Sequence, residues 1–480
     1  MRDQKLFIDG TWVPGHDTAT VRSPYDDRAV GSYAVAGEQQ VADAVHAARR
    51  AMEREWSPAA RAAVLRKAER LLEERSAEFV EVLSAEAGKP VTAAAGEIVR
   101  ARTTLGLSAE EATRLSGEFV PFEPGVGTDV LAVTVPVPVG VVAAITPFNF
   151  PLNLVLHKIG PALAAGCAVV LKPSERTPLT AGLLAELLAE AGVPAGRLNV
   201  VTGAPEQIVE IWADDPGVAV LTFTGSSAVG WALKARSPRK RHVLELGSNT
   251  ALLADTGADL DAVVDAIVTG GFTFAGQACV SVQRVYAVAE VYDALLAKLV
   301  PAVEALVAGD PADERTVVGP VIGDGAVERL LGWIEKARVD GASVLTGGTA
   351  SGRVVAPTVV ADVSPQTDLV CGEAFGPVVT VQRVADLEAG IGQVNDSRFG
   401  LNTAIFTRDV GAALAFARRA EAGTVMVNVS PSFRGDHMPY GGVKDSGQGR
   451  EGVRYAVQEL VDHKLVLLAG QRQGQLSSPR

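Results

Sequence analysis

From Val139 onward the chain alternates short β-rich runs with stretches long enough to hold a crossover helix, and this rhythm limits the fold more than any other feature. The first runs are GVVAAIT, AVVLKP, LNVVTG, VAVLTFTG and HVLELG; a second series around Ala251 adds TALLAD, RVYAVAE, ASVLTGG, PVVTVQRV, TAIFT and TVMVNV. Parallel strands need a dozen or more residues to return to the same edge, so the alternation specifies an α/β chain of doubly wound sheets, one unit after another. Segments such as Asp259 to Phe274 and Asp409 to Ala422 supply crossovers in the second series. Ahead of both, residues 38 to 118 carry Val41, Val45, Met52, Leu65, Leu71, Leu72, Phe79, Val82 and Leu83 near helical spacing, which predicts a helical segment.

Two pieces belong to neither series: GTDVLAVTVPVPV, just before the first sheet, and DHKLVLLAG near the end. Apolar strands without a sheet of their own pair with each other or with another subunit. The closing QRQGQLSSPR reads as a disordered tail.

Composition narrows the class of function. At 480 residues, 48% of them apolar and 21% charged, the chain is large enough for two or three cores and far from a disordered composition. A formal charge of -12 opposes nucleic acid or an anionic membrane surface as partner. Cys167, Cys279 and Cys371 are far apart and form no C-x-x-C pair, which points away from a disulfide framework or metal cage and towards a reducing compartment. MRDQKLFIDGTWVPG has no apolar core of a signal peptide, and Val130 to Ile145 is broken by Pro136, Pro138 and Gly140. The expectation is a cytoplasmic protein acting on a small molecule.

Open α/β sheets bind ligands at the carboxyl ends of their strands, so residues there carry the chemistry. Glu245, in HVLELGSNT, is flanked by apolar residues at such an end and is either a solvated charge or a general base with a raised pKa. Asn149, in AAITPFNFPLN, either caps a turn or donates its amide to an oxyanion. Gly225, Ser226 and Gly230 open a helix in FTGSSAVGWALK, where backbone N–H groups can face a phosphate, although the run is not G-x-G-x-x-G. Lys172 and Glu175 end another strand, where a carboxylate can accept from ribose hydroxyls or simply remain solvated. Cys279, in FTFAGQACVSVQRV, lies between a helix and a strand, as an inert buried thiol or a nucleophile.

Together, TPFNFPLN, KPSERTP, FTGSSAVG, ELGSN, GQACVSVQRV, CGEAFGPV and MPYGGVKDSGQGREG resemble the aldehyde dehydrogenase superfamily in order and spacing, from about residue 5 to about residue 468. The stretch DHMPYGGVKDSGQGREG with ELGSN looks most like the branch of lactaldehyde and related short-chain aldehyde dehydrogenases. The resemblance implies Cys279 as nucleophile, Glu245 as base and Asn149 as oxyanion donor. For an NAD cofactor, with NADP possible, it implies contacts from Thr146, Pro147, Phe148, Lys172, Ser174, Glu175, Gly225, Ser226, Leu246, Gly247, Glu373 and Phe375. Its substrate tunnel matches Arg100, Phe150, Asn153, His157, Ala278, Val280 and Phe433, with Arg434 and His437 on the same late loop and Glu451 as a second acidic position. It also implies a Rossmann-type cofactor domain from residues 1–121 and 139–247 and a catalytic domain over 248–440. Residues 122–138 and 455–470 would be oligomerisation strands of a homodimer or homotetramer, with a tail at 471–480.

Two residues depart from the family's commonest pattern. Ser248 stands in place of a glycine, which would strain the backbone if that position needs positive φ, and Gly372 replaces an acidic residue while Glu373 remains. Neither change removes a chemical group. The implied reaction is attack of the Cys279 thiolate on an aldehyde, loss of hydride, and hydrolysis of the thioester by water activated at Glu245. Retention of Glu245 argues against an acylating enzyme that uses coenzyme A, and retention of all three groups argues against a non-catalytic binding protein.

Overall fold

The computed structural model describes residues 2–122 and 130–469. Five parallel strands form the centre of the first sheet, in the order Arg241–Glu245, Val218–Thr224, Val141–Ile145, Ala168–Lys172 and Leu198–Val200. Val141–Ile145 is earliest in the chain, and later strands add on both sides of it, so strand order reverses there. The crevice at such a reversal is where an open α/β sheet takes a ligand. Helices pack on both faces: Leu65, Leu72, Leu105, Leu156 and Leu163 are buried in one core, and Val45, Trp212, Leu221 and Leu244 in the other. Each such leucine contributes about 1.5–3 kcal/mol of transfer free energy.

A second sheet has the order Ser343–Thr346, Thr358–Ala361, Val378–Val384, Arg284–Val288, Ala251–Ala254, Asn402–Phe406 and Thr424–Val427, parallel except at the first of these. The entering helical region resolves into α1 (Glu38–Met52), α2 (Pro58–Glu74), α3 (Ser76–Ala87) and α4 (Val91–Arg114). Glu97 of α4 anchors the turn that leaves the strand Val141–Ile145. Its carboxylate pairs with buried Lys89 and accepts from the N–H groups of Leu152 and Asn153, both at 3.0 Å, at the start of α5 (Asn153–Ala165). A carboxylate at a helix N-terminus satisfies orphan donors and complements the dipole, so the turn holding Asn149 is supported from behind.

Several boundaries differ from the sequence reading. Five strands lie within the first 35 residues, Arg2–Gln4, Leu6–Ile8, Thr11–Val13, Asp17–Arg22 and Ala29–Val35. Most are three residues long and owe their form to distant partners, as when Phe7 pairs with Val200, so no local periodicity marks them. Thr358–Ala361 and the short Gly447–Gln448, an antiparallel edge beside Arg241–Glu245, are likewise set by pairing. In the expected strand 455–470, the chain is helical over Val453–Glu459 and extended only over Val461–Ala469. That strand pairs antiparallel with Val130–Pro138, from Val461 opposite Pro138 to Ala469 opposite Val130. The rest of the expected 122–138 piece, residues 123–129, and the tail 471–480 lie outside the described residues. Among the described residues no helix is long and apolar enough to cross a membrane.

Candidate active site

The loops after three neighbouring strands of the first sheet meet at the strand-order reversal. Pro147, Phe148 and Asn149 come after Val141–Ile145, Gly225 and Ser226 after Val218–Thr224, and Leu246 and Gly247 after Glu245. These residues, with Glu245 itself, line a cavity of about 460 Å³ whose opposite wall includes Gln277, Cys279, Glu373 and Phe375. Residues far apart in sequence are thus brought to one space.

A tight left-handed turn delivers the thiol. Phe274, Ala275 and Gly276 take φ of 52°, 55° and 64°, and the first two cost about 1–2 kcal/mol each in that region. The surroundings hold them there. Gln277 donates to the carbonyls of Phe274 and Pro320 at 3.3 and 3.2 Å, and its side-chain oxygen accepts from Ile322 N–H at 2.9 Å. At Gly276 a Cβ would collide with the Gly376 carbonyl, so that position requires glycine. Strain of this kind concentrates where a side chain must be aimed.

The half-buried Cys279 Sγ lies 2.9 Å from the Tyr440 hydroxyl. Burial pushes the thiol up to about 11, while Tyr440 and Arg434 favour the thiolate and Glu373 and Glu245 oppose it. Asn149 donates from Nδ2 to the Gln277 carbonyl at 2.9 Å, and its Oδ1 accepts from Phe150 N–H at 3.1 Å. This fixes the amide beside the thiol's turn.

Two carboxylates behind the thiol have opposite characters. Glu245 is buried with neither oxygen bonded to a protein group, and burial, aided by the charge of Glu451, holds its pKa well above the usual range. Burial also opposes the charge of Glu451, yet Lys158 at 2.9 Å and Arg434 at 2.9 Å outweigh it and hold that carboxyl down to about 2. One is a group free to exchange a proton. The other is a fixed anion.

The remaining expected contacts divide between the sheet edge and the opposite wall. Thr146 Oγ1 and Thr224 Oγ1 are buried without partners at the sheet edge. Glu373 accepts from Ser248 N–H at 2.9 Å and is raised by burial to about 7. A Cβ on Gly247 would collide with that carboxylate. Ser248 is not among the positive-φ residues, so the serine there carries no backbone strain. Lys172, Ser174 and Glu175 end the adjacent strand, outside the cavity wall, with Lys172 Nζ 3.2 Å from Glu175.

On the substrate side Asp436, which the sequence reading missed, gathers three expected residues. Arg100 donates to it at 2.7 Å, Asn153 at 3.1 Å, and His157 Nε2 lies 2.9 Å away. Asn153 and His157 are buried posts for the late loop. Phe150 lies beneath Lys89, whose ammonium is 3.9 Å from its ring centroid. Ala278 and Val280 flank the thiol, and Val280 packs against Leu401 and Tyr440. Phe433 is exposed, and His437 borders a separate surface depression with Arg114 and Tyr455. Tyr440 and Lys158 were also missed, since a tyrosine and a helical lysine carry no local signal of a site.

The profile of the aldehyde dehydrogenase family matches residues 12–466. The chain belongs to the aldehyde dehydrogenase family. It is 43% identical to a 3-sulfolactaldehyde dehydrogenase of Priestia aryabhattai, with 96% of this chain and 97% of that one covered. The structure is similar to an NAD-dependent aldehyde dehydrogenase from Sinorhizobium meliloti, with a TM-score of 0.95, 34% identity and coverage of 99% and 97%. It is also similar to an NADP-dependent glyceraldehyde-3-phosphate dehydrogenase from Bacillus halodurans complexed with NADP, with a TM-score of 0.95, 32% identity and coverage of 98% and 100%. This aldehyde dehydrogenase is an oxidoreductase that oxidises an aldehyde with a nicotinamide dinucleotide as acceptor. The unpartnered buried hydroxyls of Thr146 and Thr224 at the sheet edge fit such a ligand.

Proposed function

We propose that the enzyme converts its aldehyde to the carboxylic acid through a covalent adduct on Cys279, hydrolysed by water that Glu245 activates. The observation that carries this reading is the single cavity shared by Asn149, Glu245 and Cys279. The thiolate adds to the carbonyl carbon, and the Asn149 amide donates to the oxygen that becomes negative. Gly225, Ser226, Gly247, Glu373 and Phe375 hold the dinucleotide, which when bound supplies the hydride acceptor. The resulting thioester is attacked by water whose proton passes to Glu245, releasing the acid and restoring the thiol.

NAD is preferred to NADP in this reading, because Glu175 can accept from both ribose hydroxyls and repels a 2′-phosphate, while Lys172 at 3.2 Å softens the repulsion. A higher kcat/KM with NADP would overturn the preference. The substrate is a short aldehyde bearing hydroxyl or anionic groups, supported by the 43% identity to 3-sulfolactaldehyde dehydrogenase and by the guanidiniums of Arg100 and Arg434 on the late-loop side. A panel of aldehydes with and without an anionic group tests it. The exposed Leu131, Val135, Leu465 and Leu467 on the isolated strand pair support a homodimer or homotetramer that covers them. A cytoplasmic location agrees with three free thiols.

The deciding experiment is Glu245→Gln. An NADH burst of about one equivalent followed by turnover slowed roughly 10²–10⁴-fold is expected, because acylation survives and deacylation loses its base. The base must be ionised to act and burial raises its pKa, so wild-type deacylation accelerates as pH climbs through that raised value, a limb absent from the variant. Equal loss of burst and steady state would place Glu245 in positioning instead.

A further inference from the structure

The thiol of Cys279 has a hydrogen-bonding partner that the proposed reaction leaves without a role. Tyr440 Oη lies 2.9 Å from Sγ, and the ring is held on three sides. Its backbone N–H donates to the Glu451 carbonyl at 3.0 Å and its carbonyl accepts from Glu451 N–H at 2.7 Å. Leu401 and Val280 pack against it, and the Arg434 guanidinium lies 3.7 Å from the ring centroid. Arg434 is itself fixed by Glu451, at 2.9 Å, so Tyr440, Arg434 and Glu451 form one closed unit that ends at the nucleophile.

We propose that Tyr440 is a catalytic residue of the acylation step, its phenol O–H donating to the Cys279 thiolate, with Arg434 as a positioning residue that strengthens the donor by stacking on its ring. A cation over an aromatic face withdraws electron density from the ring, making the O–H more acidic. Burial keeps Tyr440 a phenol, since its pKa stands well above the ordinary value, so it donates without surrendering its proton. The thiol proton leaves to solvent, the sulfur lone pair forms the S–C bond, and the carbonyl π pair moves to oxygen beside Asn149. As that bond forms the sulfur loses its negative charge and the phenol contact weakens. The groups facing the thiol are Tyr440 and Arg434 from the late loop, Glu373 from the turn before the second sheet's strand and Glu245 from the first sheet. The two carboxylates oppose thiolate formation, which leaves the phenol as the nearest neutral donor.

This inference rests on Cys279 being the nucleophile, and its test has a readout that needs neither aldehyde nor cofactor. The rate of Cys279 alkylation by iodoacetamide is measured across pH in wild type, in Tyr440→Phe and with 3-fluorotyrosine at position 440. Tyr440→Phe keeps the ring beneath Arg434 and removes only the O–H, so alkylation at pH 7.5 should fall about tenfold, the worth of one charge-assisted hydrogen bond, with the profile displaced to higher pH. Fluorotyrosine, a stronger donor, should displace it the other way. The burst rate with an aldehyde should fall with alkylation, while binding of the dinucleotide is unchanged. Superimposable alkylation profiles for the three proteins would overturn the proposal. A shifted profile in an enzyme that gives no burst with any aldehyde would uphold it and defeat the functional reading alone.

Discussion

The sheet side of the cavity and the late-loop network beyond the thiol are built on opposite principles. The sheet side leaves buried polar atoms without protein partners: both oxygens of Glu245 and the Thr224 hydroxyl in the cavity, and the hydroxyls of Thr146 and Ser227 at the sheet edge beside it. In the late-loop network, outside the cavity lining, nearly every charge is joined to another. Asp436 ties Arg100, Asn153 and His157, and Glu451 ties Lys158 and Arg434. A buried polar group without a partner costs about 1–3 kcal/mol, so a wall of them is maintained only where a ligand or solvent completes the bonding. A paired network instead makes a fixed frame. On the proposed reaction, the sheet side would receive the reacting molecules and the late-loop network would hold the nucleophile's surroundings still.

The largest effect should come from the residue standing between the two. Cys279→Ala is expected to lower aldehyde oxidation by at least about a thousandfold while dinucleotide affinity, measured by fluorescence titration, stays near wild type. Appreciable NADH production by that variant would end the assignment of the nucleophile.

A pair of variants tests the two regions against each other. Asp436→Asn removes the charge that burial opposes but His157 and Arg100 hold well below the usual carboxylate range, and should destabilise the fold by about 3 kcal/mol in denaturant unfolding. Thr224→Val, on the sheet wall, removes a hydroxyl with no protein partner and should change stability by no more than about 0.5 kcal/mol. If the two variants unfold alike, the contrast between receiving wall and frame is wrong.

At the margin of the sheet wall, Glu175→Gln should reduce the preference for NAD over NADP about tenfold, the effect of removing one charge near a phosphate. An unchanged ratio of kcat/KM would place the ribose elsewhere. The smallest catalytic effect belongs to truncation after Asp462, which deletes most of the strand opposite Val130–Pro138 and touches neither region. Sedimentation should show a lower oligomeric state or aggregation, and a full-length monomer at micromolar concentration would refute the assembly reading.

The sequence by itself determined the alternation of strands and helices in both α/β series, because each central strand is a short, largely apolar and β-branched run bounded by turn residues, as AVVLK and VAVLTFT are. It also singled out candidates for the chemistry, Asn149 and Glu245 in contiguous motifs where strands end and Cys279 in one between a helix and a strand. What it could not carry was any arrangement created by long-range pairing. The three-residue strands Leu6–Ile8 and Thr11–Val13 exist only because Leu198–Val200 offers an edge, and Val453–Glu459 is helical where a strand was expected. The partners of the site residues were equally hidden. His157 and Arg100 read as tunnel contacts until Asp436, 279 and 336 positions away, took up both, and Tyr440 gained its meaning from a thiol 161 positions earlier. Local propensity acts over a few residues, whereas the pairing of buried charges and the aim of a thiol are fixed by packing, and only the folded chain brings those groups within reach of one another.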